Sequence, residues 1–238
     1  MSDSDTGKNY HLPYELFPTE AFELPAALQE LRDLRVLAVG AETAAKMDCA
    51  TAELAEVNAL ANMPGIGDTA PSFELPDQNG TIVSLDGLLA TGPAVVVFYR
   101  GVWCPFCSLT LRSYQQHLPE LRQMGGSLAA ISLQTPDDSL TTAERNALTY
   151  HVLSDDAEAT VSRAYGLLFE VPGYLRESYR QLGHPLPAFN RSGDWRLPVP
   201  ATFVIDQDRT VRFAGALPDY TYRPDPAEVM AVVRKVTA

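Results

Sequence analysis

Residues 94–107 read Ala94-Val-Val-Val-Phe-Tyr-Arg-Gly-Val-Trp-Cys-Pro-Phe-Cys107. The first six are a continuous apolar run of β-branched and aromatic side chains, the pattern of a strand buried on both faces. The run passes through Arg100-Gly101 into a cysteine pair. Beyond the pair, Leu111, Tyr114, Leu118 and Leu121 recur at the spacing of one helix face. Pro105 suits the first helical position, where a missing N–H costs nothing, and Pro119 predicts a kink in the same helix. Cys104 and Cys107 therefore sit at a strand-to-helix junction.

That junction has a chemical meaning. A thiol reacts as its thiolate, and a free cysteine is mostly protonated at neutral pH. The unpaired N–H groups and macrodipole of a helix N-terminus stabilise negative charge there. Cys107 follows Cys104 by one helical turn, close enough to close a disulfide. One sulfur can attack and the other can release the adduct, which is reversible two-electron chemistry. A zinc site would need two further ligands, yet there is no second cysteine pair and His11, His117, His151 and His184 are scattered. Neither metal nor cofactor is expected.

Outward on the N-terminal side, Ser72-Phe-Glu-Leu-Pro and Thr81-Ile-Val-Ser-Leu flank Asp77-Gln-Asn-Gly, two short strands joined by a turn. Before the Pro64-Gly65 break, Ala26 to Asn62 reads as helical. Leu28, Leu31 and Leu34 mark one helix face, and Met47, Ala50, Leu54, Val57 and Ala61 mark another, with Cys49 opposite that stripe and facing solvent or a partner. Met1 to Pro25 carries few periodic signals and is expected to be irregular. On the C-terminal side come a strand at Ser127–Leu133, a helix near Leu140–Leu148, a strand at His151–Leu153 and a helix at Ala157–Tyr165. Phe169 to Pro198 is irregular, with a helix around Leu175–Leu182. Ala201-Thr-Phe-Val-Ile-Asp and Thr210–Ala214 form a hairpin, and Pro226–Val236 a last helix. The result is an α/β chain with a mixed sheet covered on both faces, and the dithiol makes it thioredoxin-like. Residues 1–63 form a largely helical N-terminal extension, and 64–238 the redox domain, with an insertion at about 171–197.

Bulk properties narrow the partners. The 238 residues are 46% hydrophobic and 20% charged, ordinary for a globular chain. A formal net charge of −12 argues against nucleic acid and against anionic membrane surfaces. Met1 to Lys8 lacks the layout of a secretory signal, and no apolar run approaches the length of a bilayer span. The expected address is the cytoplasm, where thiols stay reduced. Three cysteines are too few for a disulfide scaffold.

Several blocks resemble a known family. Gly67-Asp-Thr-Ala-Pro-Ser-Phe-Glu-Leu-Pro-Asp77, Val95 to Cys107, Leu153-Ser-Asp155, Ala164-Tyr-Gly166 and Ala201-Thr-Phe-Val-Ile-Asp206 are similar to the peroxiredoxins, the alkyl hydroperoxide reductase and thiol-specific antioxidant family. The likeness covers roughly Pro64 to the C-terminus. It implies a thioredoxin-like fold and a peroxidase that reduces hydroperoxides and is recycled by thioredoxin or a low-molecular-weight thiol. Peroxiredoxin-like proteins are often dimers, and the Ala- and Leu-rich stripe of the extension would pack either on its own core or across a homodimer interface.

The chain departs from the family where mechanism is decided. Alignment puts Cys107 at the peroxidatic position, Cys104 at the position of the usual threonine and Arg100 at that of the usual proline. Pro200-Ala201 stands where some members carry an arginine, and Val199-Pro200 looks like the cis-proline segment that faces the dithiol in thioredoxins. By thioredoxin logic Cys104 is the more exposed attacker; by peroxiredoxin logic Cys107 attacks and Cys104 resolves its sulfenic acid. With the usual arginine missing, Arg100 or Arg196 would polarise the O–O bond. Trp103 is expected to flank the site as an apolar lid, and Cys49 is a weaker candidate for a resolving or intermolecular cysteine. Protein disulfide exchange, or a redox-sensing interaction module using the helical extension, are the competing functions.

Overall fold

The computed structural model describes residues 21–238. The expected irregular segment, up to residue 20, and His11 lie outside the described residues. Helices α1 (Leu24–Val39) and α2 (Ala41–Glu56) meet at Gly40, whose φ of 81° is a left-handed conformation that glycine adopts without steric cost. Leu28, Leu31, Met47 and Ala50 are buried as their periodicity predicts. Leu34 is exposed instead, and α2 ends at Glu56, so Val57 and Ala61 fall beyond the helix that would have aligned them.

Strands β1 (Glu74–Pro76) and β2 (Ile82–Ser84) pair antiparallel around a turn in which Asp77 accepts the N–H groups of Asn79 and Thr81. The short helix α3 (Leu85–Leu89), capped by the Ser84 hydroxyl, leads to β3 (Ala94–Phe98) and then α4 (Pro105–Gln123). Helix α4 continues through Pro119 in its last turns. Next come β4 (Ser127–Ser132), α5 (Pro136–Arg145), β5 (His151–Ser154) and α6 (Thr160–Ala164). Helix α5 begins four residues before its expected start because Thr135 caps it and Pro136 opens its first turn. The segment read as mostly irregular contains β6 (Leu168–Glu170), α7 (Gly173–Gln181), α8 (Leu186–Phe189) and β7 (Arg196–Pro198), with β6 and β7 paired. Strands β8 (Ala201–Ile205) and β9 (Val211–Ala216) form the hairpin, and α9 (Pro226–Val236) closes the chain.

The central sheet runs β5-β4-β3-β8-β9, with β3 parallel to β4 and antiparallel to β8. Strand β3 is central and buried on both faces. Its pleat splits the core in two: Val95 and Val97, with Tyr99 beyond the strand end, join one apolar cluster, while Ala94, Val96 and Phe98 join the other. The first cluster also holds Leu24, Leu28 and Leu31 of α1, with Met47 and Ala50 of α2. This part of the extension's stripe packs against the chain's own core, while Leu34 and Val57 stay exposed.

In the second cluster Phe203 is fully buried, with its ring 5.1 Å from Tyr165 and 6.0 Å from Phe98. Phe203→Ala should cost about 3–5 kcal/mol of folding free energy, checked by the shift of the urea midpoint at unchanged slope. Among the described residues no helix is long and apolar enough to cross a membrane.

Candidate active site

The turn after β3 is held from both sides. The Val102 N–H donates to Gln134 Oε1 at 2.7 Å, and the Cys104 N–H to the Gly101 carbonyl at 3.0 Å. Residue 101 must be glycine for a packing reason, since a Cβ there would lie 2.4 Å from Trp103 Nε1. Cys104 is the N-cap of α4, Pro105 its first residue and Cys107 its third. The two sulfurs are 3.0 Å apart, reduced, and each only 1% exposed. Exposure therefore does not single out Cys104 as the attacker, contrary to the thioredoxin-like expectation.

Electrostatics separates the pair. Burial by itself pushes the Cys107 thiol up. That is outweighed by the hydrogen bond from Cys104, the Arg223 guanidinium, the Arg100 N–H and the Arg100 charge, which bring Cys107 down to about 5. Arg223 Nη2 and the Arg100 N–H each lie 3.5 Å from its sulfur. Cys104 moves the opposite way, raised by burial and by its neighbour's negative charge. The pair is thus one thiolate, Cys107, and one thiol, Cys104, that donates to it. Because Cys107 loses its proton at about pH 5, its thiolate form predominates at neutral pH and is lost as pH falls through that value. An ultraviolet titration of the reduced protein should show thiolate absorbance rising with a midpoint near 5.

Arg100 is 4% exposed and enclosed by aromatic rings, its guanidinium 4.2 Å from the Tyr220 centroid, 4.9 Å from Trp103 and 5.8 Å from Tyr179. It donates a hydrogen bond to the Tyr179 hydroxyl, while its buried Nε has no partner. Burial alone would favour the neutral guanidine, yet Tyr179, the two cysteine sulfurs and Tyr220 keep Arg100 charged. Tyr179 is itself pushed up to about 12, chiefly by burial, and stays protonated. Trp103 is buried, lying edge-on to Tyr179 and stacked on His184 at 5.3 Å. It packs over Arg100 as an apolar cover.

Arg223 comes from the loop between β9 and α9, where it also donates to the Tyr220 and Tyr222 carbonyls. Helix α1 reaches this loop: Arg32 donates to the Thr221 carbonyl at 3.1 Å and lies over the Tyr222 ring, and Arg35 meets the Tyr220 hydroxyl at 3.5 Å.

The structure brings together Cys104, Cys107, Arg100 and Trp103. Pro200 enters β8 just before Ala201, which pairs with Phe98, so it stands beside the end of β3. Every peptide bond among the described residues is trans, which corrects the expected cis Val199–Pro200 bond; this proline simply leads into a strand. Arg196 is not at the site, because Asp194 and the carbonyls of Ala157 and Glu158 hold it elsewhere. Cys49 is exposed on α2, 3.6 Å from Glu53. No group of three metal-ligating side chains occurs among the described residues. Arg223, Tyr179 and Tyr220 were not singled out by the sequence reading. The only local signal for Arg223 is its place between two tyrosines and the Asp225-Pro226 helix start.

Asp155, in the Leu153-Ser-Asp block, has a structural task. It is fully buried and accepts hydrogen bonds from the N–H groups of Asp156, Val161 and Ser162 and from the Ser162 hydroxyl, tying β5 to α6.

The chain is 30% identical over 153 residues to alkyl hydroperoxide reductase E of Mycobacterium tuberculosis, covering 64% of this chain and 85% of that protein. It is 34% identical over 91 residues to peroxiredoxin Bcp of Escherichia coli, covering 38% and 57%. The crystal structure of peroxidoxin BcpB from Mycobacterium tuberculosis superposes with a TM-score of 0.56 at 27% identity, over 72% of this chain and 97% of that one. A thiol:disulfide interchange protein, DsbE from Chlorobium tepidum, superposes with a TM-score of 0.52 at 19% identity, over 73% and 99%, a likeness of fold alone. The AhpC/TSA family model matches residues 66–214, most of the sheet together with α4 and its dithiol, and the chain belongs to the AhpC/TSA family.

Proposed function

We propose that this chain is a thiol-dependent peroxidase that reduces hydroperoxides through a Cys104/Cys107 dithiol–disulfide cycle. The observation that carries the reading is the asymmetric sulfur pair: a buried Cys107 thiolate faced by two guanidinium-bearing residues and hydrogen-bonded to the Cys104 thiol. In the first step Cys107 Sγ attacks the terminal peroxide oxygen and the O–O bond breaks. Cys107 becomes a sulfenic acid, and the departing alkoxide or hydroxide takes a proton from solvent. Arg223 and Arg100 are fixed where negative charge moves from sulfur to oxygen, so they need not reorganise during the step. In the second step the Cys104 sulfur attacks Cys107 Sγ, the S–O bond breaks, and water leaves with the Cys104 proton. The disulfide then accepts two electrons from a thiol reductant, thioredoxin or a low-molecular-weight thiol, in a reducing compartment such as the cytoplasm. Residues 64–238 are the catalytic domain on this reading, and residues 1–63 an N-terminal extension whose α1 contacts the loop carrying Arg223.

Stopped-flow mixing of the reduced protein with hydrogen peroxide or a small organic hydroperoxide tests this. Oxidation should run at least about 10²-fold faster than that of a free thiolate. Oxidation no faster than a free thiolate, with rapid reaction on protein disulfides, would reassign the dithiol to disulfide exchange.

A further inference from the structure

Two guanidinium groups set the electrostatics of the dithiol, and a single residue touches both. Tyr220 stands in the loop between β9 and α9. The Arg100 guanidinium lies over its ring, 4.2 Å from the centroid. The same ring meets Phe106, the residue just before Cys107, edge to face at 5.7 Å. The Tyr220 carbonyl accepts a hydrogen bond from Arg223 Nη1, while Nη2 of the same guanidinium reaches the Cys107 sulfur.

The tip of the Tyr220 side chain is engaged elsewhere, by the N-terminal helices. Its hydroxyl donates to Met47 Sδ of α2 at 3.2 Å and meets Arg35 Nη1 of α1 at 3.5 Å. Burial pushes this phenol up, so it keeps its proton and remains a donor. Arg35 is fixed in turn, because its Nη2 is paired with Asp48 of α2 at 2.6 Å. One end of Tyr220 is thus clamped by α1 and α2, and the other bears on both arginines. The family model spans residues 66–214; Arg35 and Met47 precede that span, and Tyr220 and Arg223 follow it. The whole strut is this chain's own addition to the matched part.

We infer that Tyr220 is a positioning residue for the dithiol, through which α1 and α2 set Arg100 and Arg223 against Cys107. For its effect on rate the inference rests on the peroxidase reading, to which it adds the N-terminal helices as part of the working site. Charges held in place ahead of the reaction lose much of their value when displaced by about 1 Å.

The test is the thiolate titration of the reduced full chain, with the rate of oxidation by hydrogen peroxide on the same samples. The variants are Tyr220→Leu, Tyr220→Phe, Arg35→Met and the double variant Tyr220→Phe/Arg35→Met. Tyr220→Leu removes ring and hydroxyl together, and should raise the Cys107 midpoint by about one to two pH units. Tyr220→Phe keeps the ring on Arg100 and cuts only the link to the extension. It and Arg35→Met should each raise the midpoint by about half to one pH unit. The double variant should move no further than the larger single, as for two ends of one contact. Measured above every midpoint, where the thiolate is complete, Tyr220→Leu should still react about ten- to hundredfold more slowly.

An unchanged midpoint in both Tyr220→Phe and Arg35→Met would overturn the inference, whether or not Tyr220→Leu folds. Fully additive shifts in the double variant would also overturn it, because Arg35 would then act by another route. Shifted midpoints in a protein that reacts with peroxide no faster than a free thiolate would keep the positioning role and sink the peroxidase. Unshifted midpoints with fast oxidation would do the reverse.

Discussion

Cys107→Ser should abolish oxidation by hydroperoxide, a loss on the order of 10⁴-fold or more, because a serine hydroxyl has no accessible anionic form at neutral pH. Cys104→Ser should behave differently. The serine hydroxyl still donates a hydrogen bond to the Cys107 sulfur, so the thiolate persists and the first oxidation stays within about tenfold of the wild type. The cycle then stops after one equivalent of peroxide, and a sulfenic-acid-specific reagent labels Cys107. Two measurements decide it, the stopped-flow rate and the mass of the labelled protein. Should Cys104→Ser lose the first step while Cys107→Ser keeps it, the order of attack is reversed and the thioredoxin-like reading of the motif is the right one. The depressed Cys107 and raised Cys104 predict otherwise, since in the resting pair only Cys107 is a nucleophile.

The second large effect belongs to Arg223→Met. Methionine keeps much of the side chain's bulk and removes the charge 3.5 Å from the thiolate. Losing an opposite charge at that range should raise the Cys107 pKa from about 5 by about one to three pH units. The sign is fixed: a higher pKa leaves more thiol at neutral pH, so the observed rate falls and recovers as pH is raised. A second loss should remain even at high pH, about 10²–10³-fold, because the guanidinium also stabilises the charge that moves onto oxygen. Measuring the thiolate titration and the rate on the same samples separates the two. An unchanged titration curve with an unchanged rate would remove Arg223 from the site.

Much of this arrangement was legible in the chain. The apolar run of β3, the Pro105 helix start and the cysteine spacing placed the dithiol at the junction where it is found. These are local signals: one strand, one cap, one helical turn. What escaped was whatever depends on packing between distant segments. Tyr179 reaches Arg100 from α7, within the insertion that the paired three-residue strands β6 and β7 bracket. Strands that short have too few residues to show alternation. Arg223 lies in a loop without periodicity, and its proximity to Cys107 comes from where α9 docks. Arg196 is as eligible as Arg100 by residue type, but Asp194, two residues away, holds it elsewhere. The cis-proline expectation failed on likeness alone, for the short block Val199-Pro200 did not specify its own peptide geometry.

The contacts from α1 to the loop that carries Arg223 make the dithiol and the extension thermodynamically linked. Arg32 and Arg35 hold Thr221 and Tyr220 in place, and that same loop delivers the guanidinium to Cys107. Whatever free energy a docked α1 adds to thiolate formation, the thiolate returns to the docking of α1, because coupling between two sites is reciprocal. Forming the disulfide erases the negative charge and with it that share of the attachment. In the proposed cycle the oxidation state of the two sulfurs is thereby coupled to the docking of α1.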